Sequence, residues 1–350
     1  MVHFRFLDSL VFLLTVVLVH LSTSFGACKD SVVSGSLILR STDYQFVYDA
    51  FIRNNYTMES FVTNDTTYVQ VHYELQDHIM WSRKSICRDD TYLLLLFFVF
   101  RGDKERRDII RQYLKQGVEA DGMTVNYVFV VSADSWETDV LSSLELENSI
   151  FNDILVSIHR DSYANFTITV LDSFLWVRDH CKEAQYICRI DGDAWLHVGN
   201  LVHFLKGSPK RGFFAGRTYK KLIDRRMHYK GFHYIPKDYP EREWIYVHGA
   251  ANLYSRDIIP FINIGAQFLD LVIPVGDDVE ITEILRRAGI KPYSGGWKGY
   301  NYLMGVGGKT IKGLTVPNNI LFVHGLKNLT LLKEFYQAYS RNTTQAVVLD

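Results

Sequence analysis

The sequence predicts an α/β protein built on a mostly parallel central sheet with flanking helices. Three observations carry that prediction. Tyr92 to Phe100 (YLLLLFFVF) is an unbroken apolar run, too short to cross a bilayer and suited to a strand buried on both faces. Beyond it, short apolar strand-like segments alternate with helix-like ones, the order that builds parallel sheets. Finally, 47% of the 350 residues are hydrophobic and 22% are charged, so the chain has the apolar surface that a disordered one lacks.

After the first strand, Asp103 is placed to cap a helix running to about Gln116, closed by Gly117. Val125 to Val131 is a second strand, and a Glu- and Leu-bearing helix follows, ending near Asn152. Ile154 to Ile158 is a third, short strand. Tyr163 to His180 reads as a helix, because Phe166, Val170, Phe174 and Val177 form one apolar stripe. Gln185 to Ile190 is a fourth strand, ending at Asp191. In sheets of this class ligands bind beyond the carboxyl ends of the strands. Farther on, Gly276-Asp277-Asp278 opens a helix from Val279 to Ala288, with Asp277 as the expected cap. Phe97, Phe98, Phe100, Phe166 and Phe174 are assigned to core faces, and Trp195, Trp244, Tyr246, Trp297 and Tyr300 to the neighbourhood of a cleft.

Three segments are expected: 1–27, a signal peptide or short signal anchor; 28–90, a polar stem and N-terminal extension; and 91–345, the main domain. Leu10 to Val19 is apolar except for Thr15, and Ser24 and Gly26 suit cleavage after Gly26. The run is short for a span of ~20 residues, so a cleaved leader is favoured and an uncleaved membrane anchor is the alternative. Sequons at Asn55, Asn64, Asn165, Asn328 and Asn342 agree with entry into the secretory pathway. Cys28, Cys87, Cys181 and Cys188 allow up to two disulfides in an oxidising lumen, or leave Cys188 as a buried thiol. A net charge of −1 argues against a general nucleic-acid binder, which needs bulk positive charge. The stretch 206–230 nevertheless carries nine Lys or Arg and a single acid, Asp224. It either steers an anionic ligand or is a solvated loop. Residues 295–308 hold six Gly among Trp297, Tyr300 and Tyr302, the composition of a lid or of a plain surface loop.

The sharpest chemical signal is Arg189-Ile190-Asp191-Gly192-Asp193. Two carboxylates separated by Gly, just past a buried strand, can converge on one hard cation. A divalent ion held there could neutralise a nucleotide diphosphate. An ordinary D-G turn accounts for the pattern equally well, and a Mg²⁺-dependent phosphohydrolase is a further reading.

The order of motifs resembles the β1,3-galactosyltransferase and β1,3-N-acetylglucosaminyltransferase group, glycosyltransferase family 31, over about residues 92–340. Arg106-Arg107-Asp108-Ile109-Ile110-Arg111 resembles the family's R-R-x-x-I-R helix. Glu147 with Phe151 and Asp153-Ile154 is similar to E-x-x-x-Y-x-D-I, and Asp161 to Thr167 to D-x-Y-x-N-L-T. Cys181 and then Arg189 to Asp193 follow at the spacing of C and K-T-D-D-D. Tyr239-Pro240, Tyr246 to Ser255 and Gly276 to Val279 resemble Y-P, Y-x-S-G-x-G-Y-x-x-S and E-D-V. Gly192 stands for the middle Asp, Thr169 for a Lys and His248 for a Ser, and the Trp after the Arg helix is absent.

The resemblance implies a GT-A-like nucleotide-sugar-binding fold and an inverting hexosyltransferase with Mn²⁺ (or Mg²⁺). Its partners would be a UDP-galactose or UDP-GlcNAc donor and a glycan acceptor on glycoprotein, glycolipid or proteoglycan. It places the protein at the Golgi membrane with a luminal catalytic domain, or outside the cell if the leader is cleaved. Asp193, Asp191 and His324 are the implied metal residues, and Asp278 the general base. Arg107, Arg111, Arg189 and Asp191 are expected at the nucleotide-sugar. Trp195, Trp244, Tyr246, Gly249 and Trp297 are expected at the acceptor or sugar. A non-catalytic luminal or secreted carbohydrate-binding relative is the competing reading.

Overall fold

The apolar run becomes the central strand of a seven-stranded sheet. The computed structural model describes residues 86–162, 165–222, 243–268, 276–293, 301–303, 315–316, 318–339 and 347–348. Strand β1 (Thr91–Phe98) pairs in parallel with β3 (Met123–Ser132) on one side and β5 (Tyr186–Asp191) on the other. The short β4 (Ile154–Ser157) adds in parallel to the outer half of β3. Past β5 the sheet turns antiparallel, through the long β8 (Glu243–Ser255) and then β7 (Phe214–Leu222). At the other edge β2 (Val118–Ala120) folds back on β3.

Alternation along β1 shows why an unbroken apolar run was needed. Leu93, Leu95 and Phe97 pack on one face with helices α1 (Lys104–Tyr113), α4 (Val198–Lys206) and α7 (Leu329–Tyr339). Leu94, Leu96 and Phe98 pack on the other with α3 (Phe166–His180), α5 (Ile259–Phe268) and α6 (Asp277–Arg287). Helix α2 (Thr138–Phe151) ends at Asn152, whose left-handed φ of 54° turns the chain into β4. Asp103 caps α1 by accepting from the Arg106 amide, as its position predicted. A three-stranded sheet, with β11 (Ile320–His324) between β6 (Ala194–Leu196) and β9 (Asn301–Leu303), brings His324 opposite Ala194. A further pair joins β10 (Thr315–Val316) to β12 (Val347–Val348).

Three expectations are corrected, and one open alternative is resolved. Phe100 is not core but 60% exposed, because the sheet ends at Phe98 and the chain turns out of it. Trp195 is 3% exposed and packs against Phe335 and Tyr336, so its ring is enclosed between β6 and α7 and cannot face a sugar. Asp277 does not cap its helix. Gly276 holds the cap position at φ 102°, and the Asp277 side chain turns inward. Cys87 and Cys181 form a disulfide, while Cys188 is a buried free thiol; Cys28 lies outside the described residues.

Ile86 is already buried in the core. Residues 1–85, with the leader, Asn55 and Asn64, lie outside the described residues, as do Trp297, Tyr300 and Asn342. The side chain of Trp244, on β8, is likewise not described. Among the described residues no helix is long and apolar enough to cross a membrane. Asn165 donates its side-chain amide to the Arg160 carbonyl, whereas Asn328 is exposed and accepts from the Thr330 amide at the start of α7.

Candidate functional site

The parallel strands β1 and β5 end side by side, Phe98 opposite Asp191, and the candidate site lies just beyond. Here the chain makes the Asp191-Gly192-Asp193 turn and enters β6. A Cβ on Gly192 would sit 2.9 Å from the Val99 side chain and 3.0 Å from the Phe98 carbonyl. Glycine is therefore required by packing at this departure from the family's triple Asp. The turn is clamped to the segment after His324: Gly325 and Leu326 both donate backbone amides to the Asp193 carbonyl.

Asp191, Asp193 and His324 come together, with one ligand atom from each lying within 4.8 Å of the others. His324 Nε2 is 3.1 Å from Asp193 and 3.6 Å from Asp191. Two carboxylates and an imidazole are a donor set that suits Mn²⁺, so the residues present fit the implied ion. Burial works against the charge on His324, but the two carboxylates outweigh it and raise its pKa to about 9. Burial likewise opposes the charge on Asp191. Arg189 and His324 outweigh it and hold the pKa near about 2.

Arg189 is the strut of the site. Its guanidinium is buried against the Phe98 and Phe166 rings, donates to Asp191 at 2.6 Å and lies 3.1 Å from Asp277. Burial opposes its charge, yet the two carboxylates outweigh burial and keep its pKa raised. On the far side, Asp278 accepts from the Val279 amide and, at 3.4 Å, from the Gly249 amide. Burial first, and the neighbouring Asp277 second, push its pKa up to about 7. Asp277 is raised too, mainly by burial. Two adjacent buried carboxyls resist joint ionisation and titrate as a pair. A carboxyl poised near neutrality is suited to accept a proton in a reaction.

The expected nucleotide contacts Arg107 and Arg111 are corrected. Arg107 is 1% exposed and grips Glu147 through two nitrogens at 2.7 and 2.9 Å. Arg111 is held by Asp153, Glu147 and Asp108, with its guanidinium over the Phe151 ring. Their donors are spent joining α1 to α2 and β4, and neither faces solvent. Arg106 has the positioning role instead. It donates to the carbonyls of Gly192, Leu326 and Lys327, so it ties the Asp-Gly-Asp turn to the His324 segment. Only its place in the Arg-Arg pair marked it in the sequence.

His248 was also missed as a site residue. Its ring lies 5.7 Å from that of His324, and its Nδ1 accepts from the Ala250 amide. Burial and the neighbouring His324 lower its pKa to about 4. Gly249 carries no room for a side chain without pressing on Arg189, at 3.3 Å. Tyr246 is partly exposed and stacks on Tyr219.

Residues 105–295 match the family model described as galactosyltransferase. A lactosylceramide 1,3-N-acetyl-β-D-glucosaminyltransferase of Xenopus tropicalis is 28% identical over 218 residues, 59% of this chain and 57% of that protein. A β-1,3-galactosyltransferase 1 of Mus musculus is 27% identical over 220 residues, 60% of this chain and 64% of that protein. The matched region thus spans under two thirds of either relative. Among solved structures, a bifunctional glycosyltransferase, WbbM, aligns with a TM-score of 0.38 at 8% identity, covering 73% of this chain and 50% of that one. A likeness of that size carries no argument by itself. The α/β architecture, with its mostly parallel central sheet, and the seven sequence motifs agree with the family match. With more than half of its length inside the family model, the chain belongs to the galactosyltransferase family, glycosyltransferase family 31.

Proposed function

We propose that the chain is a metal-dependent, inverting hexosyltransferase, moving galactose or N-acetylglucosamine from a UDP-sugar to a glycan acceptor in β1,3 linkage. The two relatives described above are named for one or the other of these sugars, and a further one, of Homo sapiens, for N-acetylgalactosamine. We place it in the secretory pathway, with a luminal catalytic domain at the Golgi membrane. The Cys87–Cys181 disulfide supports an oxidising compartment.

One observation carries the reading: Arg189 joins a metal-type cluster, Asp191, Asp193 and His324, to a carboxyl pair poised near neutral pH. The three residues of the cluster would hold Mn²⁺ or Mg²⁺. When bound, the ion supplies positive charge for the leaving diphosphate. Arg189 keeps Asp191 ionised and oriented. Asp278 accepts the acceptor hydroxyl's proton as that oxygen bonds to the anomeric carbon and the bond to the diphosphate breaks, which inverts configuration. The Gly249 amide fixes the Asp278 carboxyl during this transfer.

The test is UDP release from a donor panel with and without Mn²⁺, beside UDP binding by calorimetry. Asp193→Ala is expected to abolish metal-dependent UDP binding. Asp278→Asn is expected to keep that binding and to lower transfer by roughly 10²–10⁴-fold. No turnover of any UDP-sugar by the folded chain would sink the enzyme reading in favour of a carbohydrate-binding relative.

A further inference from the structure

A continuous row of rings runs from the β7–β8 hairpin to the metal cluster. Tyr246 on β8 stacks on Tyr219 of β7, with centroids 6.0 Å apart and planes 24° from parallel. Tyr219 meets the His248 ring at 5.3 Å, and His248 meets His324 at 5.7 Å. All four side chains are partly exposed. Arg217 lies over the Tyr219 ring, 5.4 Å from its centre. It has no acidic partner among the described residues. Strand β7 (FAGRTYKKL) carries Arg217, Lys220 and Lys221 and not one acid.

We infer that this row is the acceptor subsite, and that its occupant is a pyranose bearing a carboxylate. The inference rests on the proposed glycosyl transfer and adds the substrate class. A pyranose has one face lined by C–H bonds, which lie well against the electron-rich face of an aromatic ring. A ring stacked on Tyr219 and Tyr246 therefore sits along the path that ends at His324. Because the His248 Nδ1 accepts from the Ala250 amide, the ring carries its proton on Nε2, placed to donate to a sugar hydroxyl. Arg217 supplies the discrimination. A guanidinium over an aromatic ring keeps its in-plane N–H groups free, and their fork matches a carboxylate. A cross-strand ring pair serving only to hold the hairpin would need neither the cation nor the row's continuation to the cluster.

The probes are p-nitrophenyl β-glucoside and p-nitrophenyl β-glucuronide, which differ only in the carboxylate at C6. Their affinities for the full chain are read by NMR titration, with and without UDP and Mn²⁺, and UDP affinity is read separately by calorimetry. The glucuronide is expected to bind about tenfold more tightly, as a charge-assisted pair allows. Arg217→Gln should erase that preference and leave the glucoside unchanged. Tyr219→Ala should weaken both glycosides, and Tyr219→Phe, which keeps the ring, should weaken neither. UDP affinity should hold in all three variants. Equal affinity of the two glycosides for the unaltered chain would overturn the inference. So would an Arg217→Gln variant that loses UDP affinity but keeps the preference, since Arg217 would then serve the donor diphosphate. Failure of the transfer reading shows elsewhere, as absent Mn²⁺-dependent UDP binding with the glycoside preference intact.

Discussion

Asp278 sets the pH response expected of this site. Its pKa is raised from the ordinary carboxyl value to about 7, chiefly by burial. A base works only when deprotonated, so kcat/KM should rise about tenfold per pH unit below 7 and level off above it. The rate of UDP-sugar transfer between pH 5 and 8.5 measures this, and a flat profile would place the base elsewhere. The same residue shows what a sequence conceals. Asp191 and Asp193 were legible because Gly192 spaces them directly past a buried strand. The poise of Asp278 was not, because it arises from a helix start packed on β8, with Thr282 accepting the Val247 amide. Likewise Arg107 was expected at the nucleotide-sugar, since the acid that neutralises it, Glu147, is 40 positions away.

Elements whose signal is local were legible. The β1 run, the α3 stripe and the Asp103 cap fell within a residue or a few of their expected places. The hairpin of β7 and β8 was not foreseen as such. The Gly249-Ala250-Ala251 stretch of β8 breaks the apolar alternation, and its pairing with β5 depends on a distant register, Ile190 opposite Ala251. Helix α1 offers an element-scale test. Its attachment to α2 runs through the buried Arg107–Glu147 pair, with Arg111 as a third member. Glu147→Gln leaves the Arg107 charge buried without its acid, a change that costs about 3 kcal/mol or more. Urea unfolding should show that loss as a lower midpoint. A midpoint within error of the parent would mean that the Phe100 and Arg101 carbonyls, which Arg107 also reaches, suffice to hold it.

For the molecule as a whole, the Cys87–Cys181 bridge closes a loop with a sequence separation of 94. Closing a loop of that size removes enough freedom from the unfolded chain to stabilise the fold by roughly 2–4 kcal/mol. Cys181→Ser, or reduction of the parent, should therefore lower the unfolding temperature, while Cys188→Ser should lack the loop-closure effect. Thermal scans with and without reductant check this, and an unchanged transition on reduction would contradict it.

The bridge also gives the domain a polarity. It sits at the amino end of β1, whereas the Asp191–Asp193 turn lies at the carboxyl end of its neighbour β5. Eight strand residues separate the two poles along β1, roughly 25 Å at 3.3 Å per residue. The described chain thus enters the sheet at the end opposite the Asp191–Asp193 turn. Reduction of the bridge therefore acts on the pole remote from the Asp191–Asp193 turn, and any effect it has on that turn must travel through the sheet.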